Sequence, residues 1–215
     1  IANCLVGSEM CIRDRSEPNM AALLDLIALG TIADVVPLDY NNRILIAEGL
    51  RRIRAGKARP GIQALLQVAS KNTTALTASD LAFGVGPRLN AAGRLDDMTT
   101  GIECLLSKHA DTAYQLALQL DAMNQDRKQI EAYMRQQAFE SLEEFEFTES
   151  DLPNSFCLFD QRWHQGVVGI LASRIKEKYH RPVIAFATVE GGKELKGSAR
   201  SIGCLLYTSD AADEL

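Results

Sequence analysis

No apolar run in this 215-residue sequence approaches the roughly 20 residues that a membrane-spanning helix needs, so none is expected. The five cysteines show neither paired nor metal-ligand spacing. That argues against a disulfide framework or a zinc site and fits a reducing cytoplasm. There is no surplus of positive charge either: 23 Lys and Arg face 28 Asp and Glu, a net charge of −5. Any contact with nucleic acid must therefore come from a local basic cleft, not a generally basic surface. What is present, 47% hydrophobic and 24% charged residues, suits one large or two small globular domains.

The ends differ from the rest. Residues 1–15 and 203–215 carry no period and no element signature, and both resemble translated sequencing-adapter read-through. Acidic Glu9 interrupts the first segment, which excludes a secretory signal. With both ends set aside, Lys and Arg fall to 21 and Asp and Glu to 23, a net charge of −2. Cys104 and Cys157 remain and are expected to be ordinary buried thiols.

The middle of the chain is organised around residues 27–38, I-A-L-G-T-I-A-D-V-V-P-L. Leu23, Leu24, Ile27, Thr31 and Ile32 have helical spacing from about Met20. Pro37 bars Val36 from the helical region, so the helix must end near Asp34. A helix C-terminus disfavours an acid, and a half-buried carboxylate is costly unless offset. Asp34 is thus either a capped or paired loop residue or a partner for an Arg, a Lys or a metal ion.

A polar break at 39–42 precedes a helix over 43–53, with Ile44, Leu45, Ala47, Leu50 and Ile53 on one face. Arg51, Arg52, Arg54 and Lys57 cluster around its end, where cations suit a helix C-terminus better than they mark a nucleic-acid surface. Pro60 opens the next helix, burying Ile62, Leu65, Leu66 and Val68. Residues 77–80 start another, with Ser79 or Asp80 as cap. The stretch 83–95, F-G-V-G-P-R-L-N-A-A-G-R-L, reads as a break at Gly86 and a restarted helix that Gly93 ends. Its glycines and alanines allow close backbone approach, and Arg supplies a planar fork for phosphate. Tight helix packing and a phosphate site both fit it. A short helix over 99–106 precedes a long one over 109–145, which contains no Gly or Pro and would span roughly 55 Å. An acidic run over 140–151 follows, and Pro153 closes it.

The pattern then changes to strand (156–159), helix (167–178), strand (182–187) and strand (196–201), an α/β unit with a right-handed crossover. Trp163-His164-Gln165-Gly166 lies just before the helix, where free N–H groups attract anions. Trp163 is either packing or a base-stacking platform. Lys196-Gly197-Ser198-Ala199-Arg200-Ser201 doubles as a basic, hydroxyl-rich turn suited to phosphate.

These segments, in this order, resemble the bacterial RecJ family of DHH phosphoesterases over about residues 17–202. The residues that carry the likeness are A-L-G-T-I-A-D-V-V-P-L, G-P-R-L-N-A-A-G-R-L-D-D-M, W-H-Q-G-V-V-G-I-L-A-S-R-I, R-P-V-I-A-F and K-G-S-A-R-S-I. The resemblance implies an α/β fold overall. The mostly helical C-terminal part of a DHH domain (16–108) would lead through a connector helix (109–150) into a partial DHHA1-type domain (151–202), between artefactual tails (1–15, 203–215).

It implies a single-stranded-DNA-specific 5′→3′ exonuclease of repair and recombination, hydrolysing phosphodiesters with Mn²⁺ or Mg²⁺. Asp34 would be a metal ligand and catalytic residue, and His164 would be catalytic. Arg88, Asn90, Arg94, Ser198 and Arg200 would bind substrate. The implied partners are single-stranded DNA with a 5′-phosphate, a single-strand-binding protein and a helicase, in the cytoplasm and without a membrane. Ala199 stands where the family often has Gly. The family's D-x-D-x-D-G and Asp-His-His motifs are not in the sequence, so this chain is expected to be an inactive piece with apolar surface exposed around 23–36. The alternatives are another DHH phosphodiesterase, acting on short oligonucleotides or cyclic dinucleotides, and a non-enzymatic single-strand-binding module.

Overall fold

The computed structural model describes residues 19–143, 152–189, 192 and 194–202. The adapter-like ends, the last residues of the expected long helix and most of the acidic run lie outside these. The described residues fall into two compact units. One holds the chain up to Asn90 together with Met98–Asp121. The other holds Ala91–Asp97 together with the chain from Ala122 onward.

In the first unit, a short 3₁₀ turn (Met20–Leu23) leads into helix α1 (Leu24–Ala33). The helix stops where Pro37 requires. Asp34 is its C-cap, Val35 takes a left-handed φ of +54°, and the Val36 N–H donates to the Thr31 carbonyl at 3.0 Å. Asp34 is exposed, not half-buried, because the chain leaves the helix there and turns outward. The apolar surface expected around 23–36 is present at the helix end: Val35 is 85% exposed and Val36 39%, while Ala28 and Leu29 are buried.

Helix α2 (Tyr40–Arg54) begins earlier than its apolar spacing suggests. Residues 39–42 are its cap and first turn, with the Asp39 carboxylate accepting from the Asn42 N–H at 2.8 Å. Its buried face is Ile46, Gly49, Leu50 and Ile53, and Ile44 is exposed. A Cβ at Gly49 would collide with the Leu24 carbonyl, so this glycine lets α1 and α2 approach closely.

Pro60 opens helix α3 (Pro60–Val68), which buries Ile62, Leu65 and Leu66. The next start, α4 (Ala78–Asp80), is capped by Thr77 and not by Ser79 or Asp80. Thr77 Oγ1 accepts from the Asp80 N–H at 3.3 Å, and Asp80 Oδ2 accepts from the Thr77 N–H at 2.9 Å. A π-helical turn (Leu81–Val85) then runs directly into α5 (Gly86–Leu95), so there is no break at Gly86, and Gly93 lies inside the helix. Helix α6 (Thr99–Leu106) packs with α3, and a Cβ at Gly61 would meet the Cys104 carbonyl. Cys104 is buried, and loss of hydration pushes its thiol up to about 11; Cys157, expected to be buried, is exposed at a strand surface.

Helix α7 (Ala110–Glu143) has 34 residues, a length of about 51 Å. Its 3–4 spacing buries Ala113, Ala117 and Leu120 in the first unit and Met134, Ala138 and Leu142 in the second.

The second unit is an α/β layer. Strand β1 (Phe156–Phe159) pairs in parallel with β2 (Val183–Thr188) across the crossover helix α8 (Val168–Tyr179). Strand β3 (Leu195–Arg200) then adds antiparallel to β2, with Val183 opposite Arg200 and Phe186 opposite Gly197. Both later strands are displaced one residue from their expected bounds. Phe156, Val183, Ala185 and Ala187 face a core of Val167, Val168, Leu171 and Ile175. Trp163 belongs to this core at 6% exposure, so it is packing and not a stacking platform. Residues 196–200 form a strand and not a turn. Its period of two places Lys196, Ser198 and Arg200 on one face and Gly197 and Ala199 on the other.

Candidate anion site at the start of helix α8

The loop from β1 to α8 is held by its own hydrogen bonds. The Trp163 N–H donates to the Asp160 carbonyl at 3.2 Å, and the Val167 N–H to the His164 carbonyl at 3.0 Å. The Gly166 N–H donates to His164 Nδ1 at 3.1 Å, which places the proton of the neutral ring on Nε2. Gly166 cannot carry a side chain here, since a Cβ would collide with the carbonyl of Arg94 in the last turn of α5. Gly169 is constrained in the same way: its Cβ would lie 2.9 Å from both Arg200 Nη2 and Ser198 Oγ. Two glycines three residues apart thus let a helix start, a helix end and an edge strand converge.

They enclose an open pocket of about 270 Å³, lined chiefly by Arg94, Gln165, Gly169, Lys196, Ser198 and Arg200. The first turn of α8 contributes Val168 and Gly169 to it, whose N–H groups have no acceptor within the helix. The positive end of the helix dipole reinforces the two arginines and the lysine. Loss of hydration, then repulsion from Arg127 and Arg200, lowers the pKa of Arg94, against the opposing pull of Glu131. Arg127 is supplied by α7. Its guanidinium donates to Asn124 Oδ1 at 3.2 and 3.3 Å and to Glu131 Oε2 at 3.1 Å. Glu131 also accepts from Arg174 of α8 at 3.2 Å. The result is a cluster of cations in mutual repulsion, with hydroxyl and amide donors among them, which is the chemistry of an oxyanion receptor.

Of the residues expected to act, Arg94, Ser198 and Arg200 line this one pocket, and His164 shapes the loop that bounds it. Asp34, Arg88 and Asn90 belong to the first unit. The Asp34 carboxylate makes no hydrogen bond or ion pair among the described residues, and Asn90 is exposed. Arg88 is committed elsewhere, with Nη2 2.8 Å from Asp121 Oδ1 and Nη1 donating to the Gly84 carbonyl at 2.5 Å.

Among the described residues no group of three or more His, Cys, Asp or Glu side chains could hold a metal ion. One exposed carboxylate does not meet the roughly six oxygen ligands that Mg²⁺ demands, so these residues do not by themselves fit the implied metal. Sequence reasoning missed Gly169 and Arg127. The G-x-x-G spacing across the helix start was a readable signal for the first. Nothing in the sequence pointed from α7 toward the pocket.

Residues 153–207 match the DHHA1 domain family. The chain is 58% identical over 203 residues to the single-stranded-DNA-specific exonuclease RecJ of Dickeya dadantii, a match covering 94% of this chain and 35% of that protein. Among solved structures it is similar to RecJ from Thermus thermophilus in complex with Mg²⁺. The TM-score is 0.74 at 33% identity, covering 93% of this chain and 30% of the other. The Mn²⁺ complex of the same protein matches with the same score and identity, covering 28% of that chain. The chain spans about a third of the length of the curated relative it matches. The ordered motifs, the α/β unit and these likenesses agree that the chain is a segment of the RecJ family.

Proposed function

We propose that this chain is the part of a single-strand-specific 5′→3′ DNA exonuclease that grips the 5′-phosphate of its substrate. The observation that carries this reading is the pocket at the start of α8, where Arg94, Lys196, Arg200 and Ser198 face two free helix N–H groups. Such a site suits a terminal phosphate, which carries about −1.5 to −2 charge near neutral pH, better than a singly charged diester. His164 orders the loop beside the bound end, and Asn90 contacts the strand. Arg88, held by Asp121, contributes structure. Asp34, exposed and unpaired, is the carboxylate this chain offers toward Mn²⁺ or Mg²⁺, with the remaining ligands from elsewhere in the parent protein.

In the same reading, residues 16–108 are the C-terminal part of the catalytic DHH domain, 109–150 the connector and 151–202 part of the DHHA1 domain. The parent works in the cytoplasm beside a single-strand-binding protein and a helicase. Without a metal cluster among its described residues, the chain alone is expected to bind and not to cleave.

The test is a fluorescence anisotropy titration of the chain with single-stranded oligonucleotides that differ only in a 5′-phosphate or a 5′-hydroxyl. Loss of charge-assisted bonds to the phosphate should weaken binding of the hydroxyl form by about tenfold or more. Equal affinities would overturn the reading.

A further inference from the structure

Arg200 does not reach the pocket as a free side chain. Its Nε donates to Ser173 Oγ at 3.1 Å, and its Nη1 donates to Ser198 Oγ at 3.0 Å and to the Ala199 carbonyl at 2.7 Å. The Ser173 hydroxyl in turn donates to the Gly169 carbonyl at 3.1 Å. Donor and acceptor roles of that hydroxyl are both used, so its orientation is determined from two sides. The chain Arg200 to Ser173 to Gly169 ties the guanidinium to the first turn of α8. The remaining Nη2 then lies over Gly169, beside the free N–H groups of that turn and without a protein partner among the described residues.

We infer that Ser173 is a positioning residue for phosphate recognition. It locks the Arg200 guanidinium so that its Nη2 edge, and not its Nε edge, is presented to the anion. The inference rests on the proposed function, because it assigns a role inside the same pocket. Its physical basis is the cost of ordering a long side chain. An unrestrained Arg loses side-chain freedom when it binds, whereas one already held by two hydroxyls and a carbonyl has lost it in the free protein. Ser173 lies in the second turn of α8, one turn beyond Gly169, outside the residues that line the pocket, and contributes no charge. Its effect must therefore run through Arg200.

The experiment uses the same pair of oligonucleotides with the 215-residue chain and with Ser173→Ala, Ser173→Thr, Arg200→Gln and the Ser173→Ala/Arg200→Gln double variant. Thermal unfolding of each is measured alongside. Ser173→Ala should raise Kd for the 5′-phosphorylated strand by about three- to tenfold and leave the 5′-hydroxyl strand unchanged. Ser173→Thr, which keeps the hydroxyl, should restore binding. In the Arg200→Gln background, Ser173→Ala should have no further effect. A Ser173→Ala variant that retains the full phosphate preference, or that weakens both strands equally, would overturn the inference while leaving the proposed function standing. An unsubstituted chain with no phosphate preference would overturn both.

Discussion

Asp25 and Arg59 form the one fully buried carboxylate contact of the first unit's described residues. The Arg59 main-chain N–H donates to Asp25 Oδ2 at 2.9 Å, and its Nε lies 3.5 Å from Oδ1. The Leu26 N–H donates to Oδ1 as well, and the Asp25 side chain is fully buried. The carboxylate thereby ties the first turn of α1 to the residue that caps α3. Asp25→Ala leaves the Leu26 and Arg59 main-chain N–H groups without their acceptor, and should cost about 1–3 kcal/mol. Asp34→Ala, at an exposed and unpaired acid, should stay within about 0.5 kcal/mol. Urea unfolding of the two variants checks this. A large loss for Asp34→Ala would show that the exposed acid has a structural partner.

Glycine substitutions should separate close approach from helix propensity. A Cβ at Gly166 would strike the Arg94 carbonyl, which is main chain and cannot rotate away. Gly166→Ala should therefore destabilise the second unit by about 1–3 kcal/mol and abolish the phosphate preference. Gly30, inside α1, has nothing within 4 Å of a built Cβ. Gly30→Ala should stabilise by about 0.5–1 kcal/mol. Thermal unfolding of both variants is the measurement, and a neutral Gly166→Ala would mean that the loop has slack.

Acid should loosen the start of α4. The Asp80 carboxyl is held down to about 2 from its usual 3.8, first by the Thr77 hydroxyl, then by the Thr77 N–H and by Lys71. Because the folded value is the lower one, the stabilisation is present above about pH 4 and is lost as pH falls toward 2. Protection against amide exchange at residues 78–85, taken relative to the intrinsic exchange rate at each pH, should fall through this range in the unsubstituted chain. In Thr77→Val, which lacks the hydroxyl, less of that pH dependence should remain. An unchanged profile would show that the capping box contributes nothing in solution.

Elements with an unambiguous local code were legible in the sequence. Pro37 and Pro60 marked the end of α1 and the start of α3, and the uninterrupted 3–4 stripe marked α7. Short apolar runs on either side of an amphipathic helix marked the β-α-β unit. Boundaries that depend on side-chain capping were displaced, because Asp39 and Thr77 each compete with neighbours of similar capping power. Gly93 misled for a different reason. Glycine is a frequent helix terminator but not an obligatory one, and the packing around α5 carries the helix two residues past it.

The same division runs through the site. Arg94, Ser198, Arg200 and the helix start near His164 could be singled out from residue type and spacing alone, since Arg, hydroxyls and free N–H groups have intrinsic affinity for anions. Their convergence was not legible. It depends on Gly166 touching the end of α5, on Gly169 lying under Arg200, and on β3 pairing antiparallel to β2. Each of these is a contact between residues remote in sequence. Burial followed the same rule, because local charge pattern made Asp34 the conspicuous acid while packing buried Asp25. The amino-acid sequence determined which groups this protein has available and where helices and strands begin to form. Only the tertiary structure decided which of those groups meet, because burial and proximity are properties of surfaces that exist once the elements have packed.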